Sequence, residues 1–325
     1  MKLIIQIPCF NEEAALPATL AALPRAVAGC DQVEWLVIDD GSTDGTAAVA
    51  RANGVDHVVV LPRNRGLAHA FTTGLEACLA RGADVIVNTD ADNQYCADDI
   101  PLLVGPILRG EADLVVGERP ISDIAHFSPI KKLLQRLGSA VVRVLSRTDV
   151  RDAPSGFRAL SREAAFKLNV FSEYTYTLET LIQAGQKSMA VVSVPIRVNG
   201  ETRPSRLVAG LGSYVQRSVV TMVRIFITYR PLRFFMTTGL AVFLAGFALG
   251  LRFLYYYATG AGEGKIQSTI LAALLMGTGA FLCVMGLVVD LIAVNRQLLE
   301  KLQWRLARLE ARGPAPEASP PRESD

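Results

Sequence analysis

Short aliphatic and β-branched runs occur at 3–8, 34–39, 57–61, 84–88 and 113–117. Between them lie longer segments, 13–25, 44–53, 67–81 and 98–109, whose apolar positions fall at helical spacing. Strand and helix in alternation predict βαβ units and a mostly parallel sheet, an α/β fold of Rossmann-like character. That rhythm stops near residue 212. Residues 234–257 and 268–289 are two apolar stretches, each long enough to cross about 30 Å of hydrocarbon at 1.5 Å per residue. They are read as a transmembrane hairpin, with a buried hairpin in a large soluble core as the alternative.

Charge sharpens the second half. Arg252 is the one charge in the first span and lies beside Tyr255, Tyr256 and Tyr257, while Asp290 comes only after the second; such placement suits snorkelling and an aromatic belt. Arg217, Arg224, Arg230 and Arg233 precede the hairpin, and Arg296, Lys301, Arg305, Arg308 and Arg312 follow it, whereas the connector carries only Glu263 and Lys265. The positive-inside rule then places both termini and the α/β domain in the cytoplasm. The expected divisions are an α/β domain at 1–206, amphipathic interfacial helices at 207–233, the hairpin at 234–294, a basic helix at 295–312 and a disordered Pro-rich tail at 313–325. Leucines at 291, 298, 302, 306 and 309 recur near helical spacing, a pattern a homo-oligomer could use.

Half of the 325 residues are hydrophobic and the formal net charge is +2, too small a positive balance for nucleic acid. Five cysteines without a CxxC spacing, and three histidines apart from them, give no zinc pattern and suit free cytosolic thiols. The amino terminus lacks the apolar run of a signal peptide.

In a parallel sheet ligands bind outside the carboxyl ends of the strands. Polar signals stand there: Pro8-Cys9-Phe10-Asn11-Glu12 after the first run, Asp39-Asp40-Gly41-Ser42 after the second, and Asp90-Ala91-Asp92 after the fourth. Two carboxylates with the amide of Gln94 make a hard oxygen site for Mg²⁺ or Mn²⁺, metals that use one or two carboxylates plus substrate phosphates. Asp39 and Asp40 are placed to accept hydrogen bonds from a base or ribose. The P-loop and GxGxxG patterns are absent, so a nucleotide would be held in another way. A lone DxD is common, and "DDGSTDGT" serves equally as a turn and helix start, with Ser42 and Asp44 as N-caps.

Taken in order, "IPCFNEE", "VIDDGSTDGT", "RNRGLAHAFTTG", "NTDADNQY", "VVGERP" and "DAPSGFRAL" resemble the family 2 glycosyltransferases of the GT-A fold. Among these the chain is most similar to the polyprenyl-phosphate (dolichol-phosphate-mannose-synthase-like) enzymes that carry a two-helix anchor. The resemblance spans about residues 1–212. It implies a nucleotide site at Pro8, Phe10, Asn11, Glu12, Asp39, Asp40, Asn64 and Gly66, and a Mg²⁺ or Mn²⁺ and diphosphate site at Asp90, Asp92 and Gln94. It also implies an acceptor-phosphate site at Arg119 and Arg136, and a turn at Ser155-Gly156-Phe157-Arg158. Asp90, Asp92, Arg119 and Arg136 are the residues expected to carry catalysis. Ser155 and Glu179 are candidate sugar or acceptor contacts.

Two departures from the family pattern matter. Where many members have Gly-x-Ser-Lys, this chain has "GETRPSRL", so Arg203 and Arg206 are assigned to the acceptor phosphate, which a guanidinium can clamp bidentately. The Gln-x-x-Arg-Trp pattern of processive synthases is missing, which favours one sugar per acceptor. The implied partners are a UDP- or GDP-linked sugar, a polyprenyl phosphate (undecaprenyl or dolichyl) and membrane lipids. UDP-glucose, UDP-N-acetylglucosamine and GDP-mannose all stay open, with UDP preferred by the resemblance. Direct displacement by the anionic lipid phosphate would invert the anomeric centre. Two alternatives stand beside this reading: a membrane glycosyltransferase acting on another lipid or glycan, and a catalytically silent scaffold subunit.

Overall fold

The computed structural model describes residues 1–120, 148–168, 176–200, 229–260 and 266–310, with isolated positions between 139 and 146, at 170, and between 220 and 227. The chain forms two compact units, one of Met1–Ser218 with Trp304–Asp325, the other of Val219–Gln303.

The first unit alternates β1 (Lys2–Cys9), α1 (Leu16–Ala22), β2 (Gln32–Asp39), α2 (Thr46–Ala52), β3 (His57–Val60), α3 (Leu67–Ala80), β4 (Val85–Asn88), α4 (Ile100–Leu108) and β5 (Leu114–Glu118). Then follow β6 (Arg158–Ser161), α5 (Arg162–Lys167), α6 (Thr177–Gln186) and β7 (Val191–Pro195). The seven strands lie in the order β3-β2-β1-β4-β6-β5-β7. β1 pairs in parallel with both β2 and β4, so the chain leaves the centre in two directions and creates a switch point there. Only β6 runs antiparallel, between β4 and β5.

Residues 3–9 of β1 are all buried, as expected for a central parallel strand covered on both faces. Leu3, Ile5 and Ile7 join Val37, Val85, Val87 and Val115 in a core closed by Leu16 and Leu20 of α1 and Ile100, Leu103 and Ile107 of α4. α3 packs on the opposite face with Phe71, Leu75 and Cys78 fully or nearly fully buried. α1 is shorter than the apolar spacing suggests. Pro17 sits in its first turn, and Leu23, extended at its C-cap, precedes Pro24, which disfavours helix there.

In the second unit two helices are long and apolar enough to cross a membrane, α7 (Pro231–Ala258) and α8, which runs unbroken from Ile266 to Glu310. The apolar stretch at 268–289 and the basic stretch after it therefore lie on one helix. Only 11% and 17% of their most apolar windows are buried, the reverse of a soluble core helix. The two helices touch through glycine. A Cβ on Gly239 would stand 2.8 Å from the Gly279 carbonyl oxygen, one on Gly246 2.8 Å from that of Ala272, and one on Gly286 2.8 Å from Phe235. Backbone approach of this kind replaces the hydrophobic drive that lipid removes.

Candidate active site

Register and turn chemistry bring the three polar loops together. β1 and β2 end level, Cys9 opposite Asp39, and the loops after them interlock. The Asn11 backbone N–H donates to Ser42 Oγ at 2.9 Å, the Thr43 N–H to Asn11 Oδ1 at 2.8 Å, the Glu12 N–H to Thr46 Oγ1 at 2.9 Å and the Gly45 N–H to Glu13 Oε2 at 2.9 Å. Asn11 adopts a left-handed φ of 55° within this knot. Ser42 thus binds Asn11 instead of capping α2, whose N-cap is Gly45 without a side-chain bond. Pro8 and Glu12 are buried, and Phe10 is exposed at the rim.

Both acids at the end of β2, Asp39 and Asp40, are buried and face backbone. Asp39 Oδ1 accepts from the Ser42 N–H at 2.9 Å. Asp40 accepts the Arg65 N–H on one oxygen, at 2.9 Å, and the Gly66 N–H on the other, at 2.8 Å. It thereby folds the Asn64–Gly66 stretch, with Gly66 at φ +91° and Asn64 exposed, against Gly41. A Cβ on Gly41 would lie 2.4 Å from the Arg63 carbonyl carbon, and its φ is +70°. Asp40→Asn replaces one acceptor by an amide that must confront an N–H. Expected is a loss of about 1–3 kcal/mol in thermal or denaturant unfolding, with a raised KM for the nucleotide sugar and kcat nearly kept.

The third loop rests on a buried polar ladder. Gln6 Nε2 donates to Asn88 Oδ1 at 2.9 Å, and Asn88 Nδ2 donates to the Gly156 carbonyl and to Tyr176 Oη, both at 2.9 Å. The Gly156 N–H donates to Tyr95 Oη at 3.0 Å. Rings stack behind these hydroxyls, Phe71 on Tyr176 with centroids 3.9 Å apart and Tyr95 on Phe157 at 5.0 Å. Gly156 is therefore clamped on both sides, and its α-carbon faces the Asp90 carboxylate: an added Cβ would meet Asp90 Oδ1 and Tyr176 Oη at 3.0 Å each. Gly156→Ala is expected to lower kcat/KM by about 10²-fold, the scale of an ångström-sized misplacement, while circular dichroism shows an intact fold.

Asp90 and Asp92 share this loop at the end of β4. Burial pushes the Asp90 carboxyl up to about 7, the Asp92 carboxylate adds to the shift, and the Arg119 cation opposes it. Such a pair of hard oxygens, one held near protonation by burial and by the other's charge, fits a divalent cation, which would relieve both effects. Among the described residues no third acid, histidine or cysteine joins a cluster able to hold a metal, so the set suits an ion that takes its remaining ligands from water and phosphate. Gln94 is tied here by its backbone, its N–H donating to Asp92 Oδ1 at 3.2 Å.

Arg119 follows β5 and forms a fork with Asp152, Nε to Oδ2 at 2.7 Å and Nη2 to Oδ1 at 2.9 Å; the Asp152 side chain is fully buried. Arg158 lies wholly inside the protein. Its guanidinium donates to the carbonyls of Ser155, Thr177 and Ala153 at 2.7, 2.8 and 2.6 Å and to Thr180 Oγ1 at 2.7 Å. Burial lowers it to about 10, so it stays charged at neutral pH. Ser155 Oγ is buried without a hydrogen-bond partner among the described residues, and Glu179 is buried in the first turn of α6. Arg136, Arg203 and Arg206 lie outside the described residues, as does most of the amphipathic segment at 207–233.

Sequence reasoning did not single out Asn88, Tyr95, Asp152 or Tyr176. Asp152 stands in the quoted "DAPSGFRAL", yet it meets Arg119 across 33 residues, which no local spacing discloses.

A mixed, mostly parallel sheet with an acidic loop beyond its switch point is the architecture of the GT-A fold, shared with solved glycosyltransferases. Residues 4–168 match the model of Glycosyl transferase family 2, and the chain belongs to that family. Over 204 residues it is 30% identical to polyprenol monophosphomannose synthase of Mycolicibacterium smegmatis, covering 59% of this chain and 76% of that protein. Over 235 residues it is 29% identical to undecaprenyl-phosphate mannosyltransferase of Micrococcus luteus, covering 69% and 93%. Among solved structures it is similar to Mycobacterium tuberculosis glucosyl-3-phosphoglycerate synthase with Mn²⁺, UDP-glucose and phosphoglyceric acid, at 25% identity and a TM-score of 0.52, covering 68% of this chain and 79% of that one.

Proposed function

We propose that the protein transfers one hexose from a nucleotide-diphosphate sugar to a polyprenyl phosphate, with inversion, at the cytoplasmic face of a membrane held by the α7–α8 hairpin. One observation carries this reading: the Asp90–Asp92 pair and the Arg119–Asp152 fork act on each other at the same end of the sheet. The first offers hard oxygens toward a diphosphate, the second a fixed cation toward another anion. The names of the two relatives, both enzymes of polyprenyl-type acceptors, support the lipid.

Asp90 and Asp92 would hold Mg²⁺ or Mn²⁺, with Gln94 beside them. The bound ion supplies positive charge to the departing nucleoside diphosphate. Pro8, Phe10, Asn11, Glu12, Asp39, Asp40, Asn64 and Gly66 border the nucleotide, the acids by shaping its loops. The orphaned Ser155 hydroxyl, next to the Gly156 that abuts Asp90, offers a hydrogen bond to sugar or acceptor, and Glu179 is assigned to the same side. Arg119, kept in one orientation by Asp152, stands with Arg136, Arg203 and Arg206 as the acceptor's phosphate site. A lipid phosphate is anionic near neutral pH and attacks without a strong general base. Two anions held side by side repel, and the arginines offset that repulsion.

Residues 1–206 are assigned to catalysis, 207–233 to the membrane interface, 234–294 to the hairpin and the basic stretch 295–312, which α8 enters without a break, to a cytoplasmic role in a homo-oligomer, with 313–325 as a polar tail. Purified full-length protein in detergent is to be given labelled UDP-glucose, UDP-N-acetylglucosamine and GDP-mannose with a short polyprenyl phosphate, with and without Mg²⁺ or Mn²⁺. Metal-dependent label in the lipid phase is the expected result and identifies the donor. Label moved by no donor to that lipid would sink the reading and direct attention to another lipid or a glycan acceptor.

A further inference from the structure

Past β7 the chain lies across the acidic loop. Val198 forms an antiparallel bridge with Tyr95, and the Cys96 N–H donates to the Arg197 carbonyl at 3.3 Å. Arg197 anchors this strap: its N–H donates to Asp99 Oδ2 at 2.6 Å, and Nε and Nη2 donate to Oδ1 at 2.9 and 2.6 Å. Asn199 then meets the loop with both backbone and side chain. Its N–H donates to the Gln94 carbonyl at 2.8 Å, and its Nδ2 donates to the carbonyls of Asn93 at 2.9 Å and Tyr95 at 3.3 Å. Asn93 has a left-handed φ of 56°, a conformation that Asn enters more readily than most non-glycine residues, and the Asn199 amide bonds to its carbonyl.

We propose that Asn199 is a positioning residue for the metal loop: its amide, by bridging two loop carbonyls, fixes the Asn93 turn and so sets Asp92 and Gln94 relative to Asp90. Strand pairing alone needs only the backbone of Asn199, so the side-chain bridge is an addition to it. Asn199 is itself exposed, and its amide contributes little to the core. The inference rests on reading Asp90, Asp92 and Gln94 as a metal site.

The experiment measures Mn²⁺ affinity of the full chain in detergent, with UDP and separately with GDP present to supply the diphosphate, by electron paramagnetic resonance of free Mn²⁺, alongside thermal midpoints and the Mn²⁺ activation of transfer. Asn199→Ala and Asn199→Asp both lose the amide donor. Each is expected to weaken Mn²⁺ binding about 10-fold, the scale seen when outer partners of metal ligands are removed, with an unchanged thermal midpoint and kcat restored at saturating Mn²⁺. Unchanged Mn²⁺ affinity in both Asn199 variants overturns the proposal, as does a loss of kcat that saturating Mn²⁺ leaves in place. Wild-type protein that binds no Mn²⁺ removes the metal reading and this proposal with it, whereas wild-type binding with unaffected variants removes this proposal alone.

Discussion

Asp92→Asn is expected to cut sugar transfer by about 10²–10³-fold, the scale lost when one stabiliser of transition-state charge is removed, with no loss of thermal stability. The two halves of that result have separate causes. Asn keeps an oxygen where Asp92 Oδ1 accepts the Gln94 N–H, so the turn retains its bond. It removes the negative charge that burdens Asp90, whose carboxyl is already pushed up to about 7. The variant therefore ionises Asp90 more readily and folds at least as well, yet it offers a cation one charge fewer. Rates measured across a Mn²⁺ titration, together with a melting curve, check both parts. A destabilised Asp92→Asn, or one that keeps near-full activity, would contradict the electrostatic account of this loop.

Arg158→Met is expected to have the largest effect on the fold. The side chain is fully buried and satisfies the carbonyls of Ala153, Ser155 and Thr177 as well as Thr180 Oγ1. Removing it takes the guanidinium donor from three buried carbonyls at about 1–3 kcal/mol each, against a total stability on the order of 5–15 kcal/mol. Arg158→Lys keeps the charge but not the planar fork, so it should recover only part of the loss. Scanning fluorimetry of the detergent-purified variants would show the order wild type, Lys, Met. The same variants should lose activity roughly in step with folded protein, because Arg158 supports the Ala153–Gly156 turn from inside and is wholly buried away from solvent. Equal melting points for all three would show that the buried network contributes little.

The half of the sheet that carries nucleotide chemistry was legible in sequence for a plain reason. β1, β2 and β4 are largely apolar, and acids stand at or just past the end of each, at Glu12, at Asp39 and Asp40, and at Asp90. β6 was not legible: it has four residues, begins with a charged Arg158 that is buried all the same, and runs against its neighbours. The positions of Asp90 and Asp92 were likewise readable, since local spacing places them. What the other polar side chains do was not. Asp40 serves two backbone N–H groups 25 and 26 residues away, Asp152 serves Arg119, and Asn199 reaches back 106 residues to Asn93. Partnerships of that length depend on how loops meet at the sheet's edge, and one-dimensional periodicity holds no trace of them.

The way Asp40 and Gly41 shape the donor-side loop has a bearing on how such a gene diversifies. The path of residues 63–66 is set by two main-chain N–H groups and by the space a glycine leaves, while the side chains of Arg63, Asn64 and Arg65 stand exposed. In the proposed nucleotide site, single-codon changes at those three positions would alter what the loop presents to a base or ribose without unsettling the scaffold beneath. With that site, a lineage built on this frame would change donor in small steps, each of them still a folded protein.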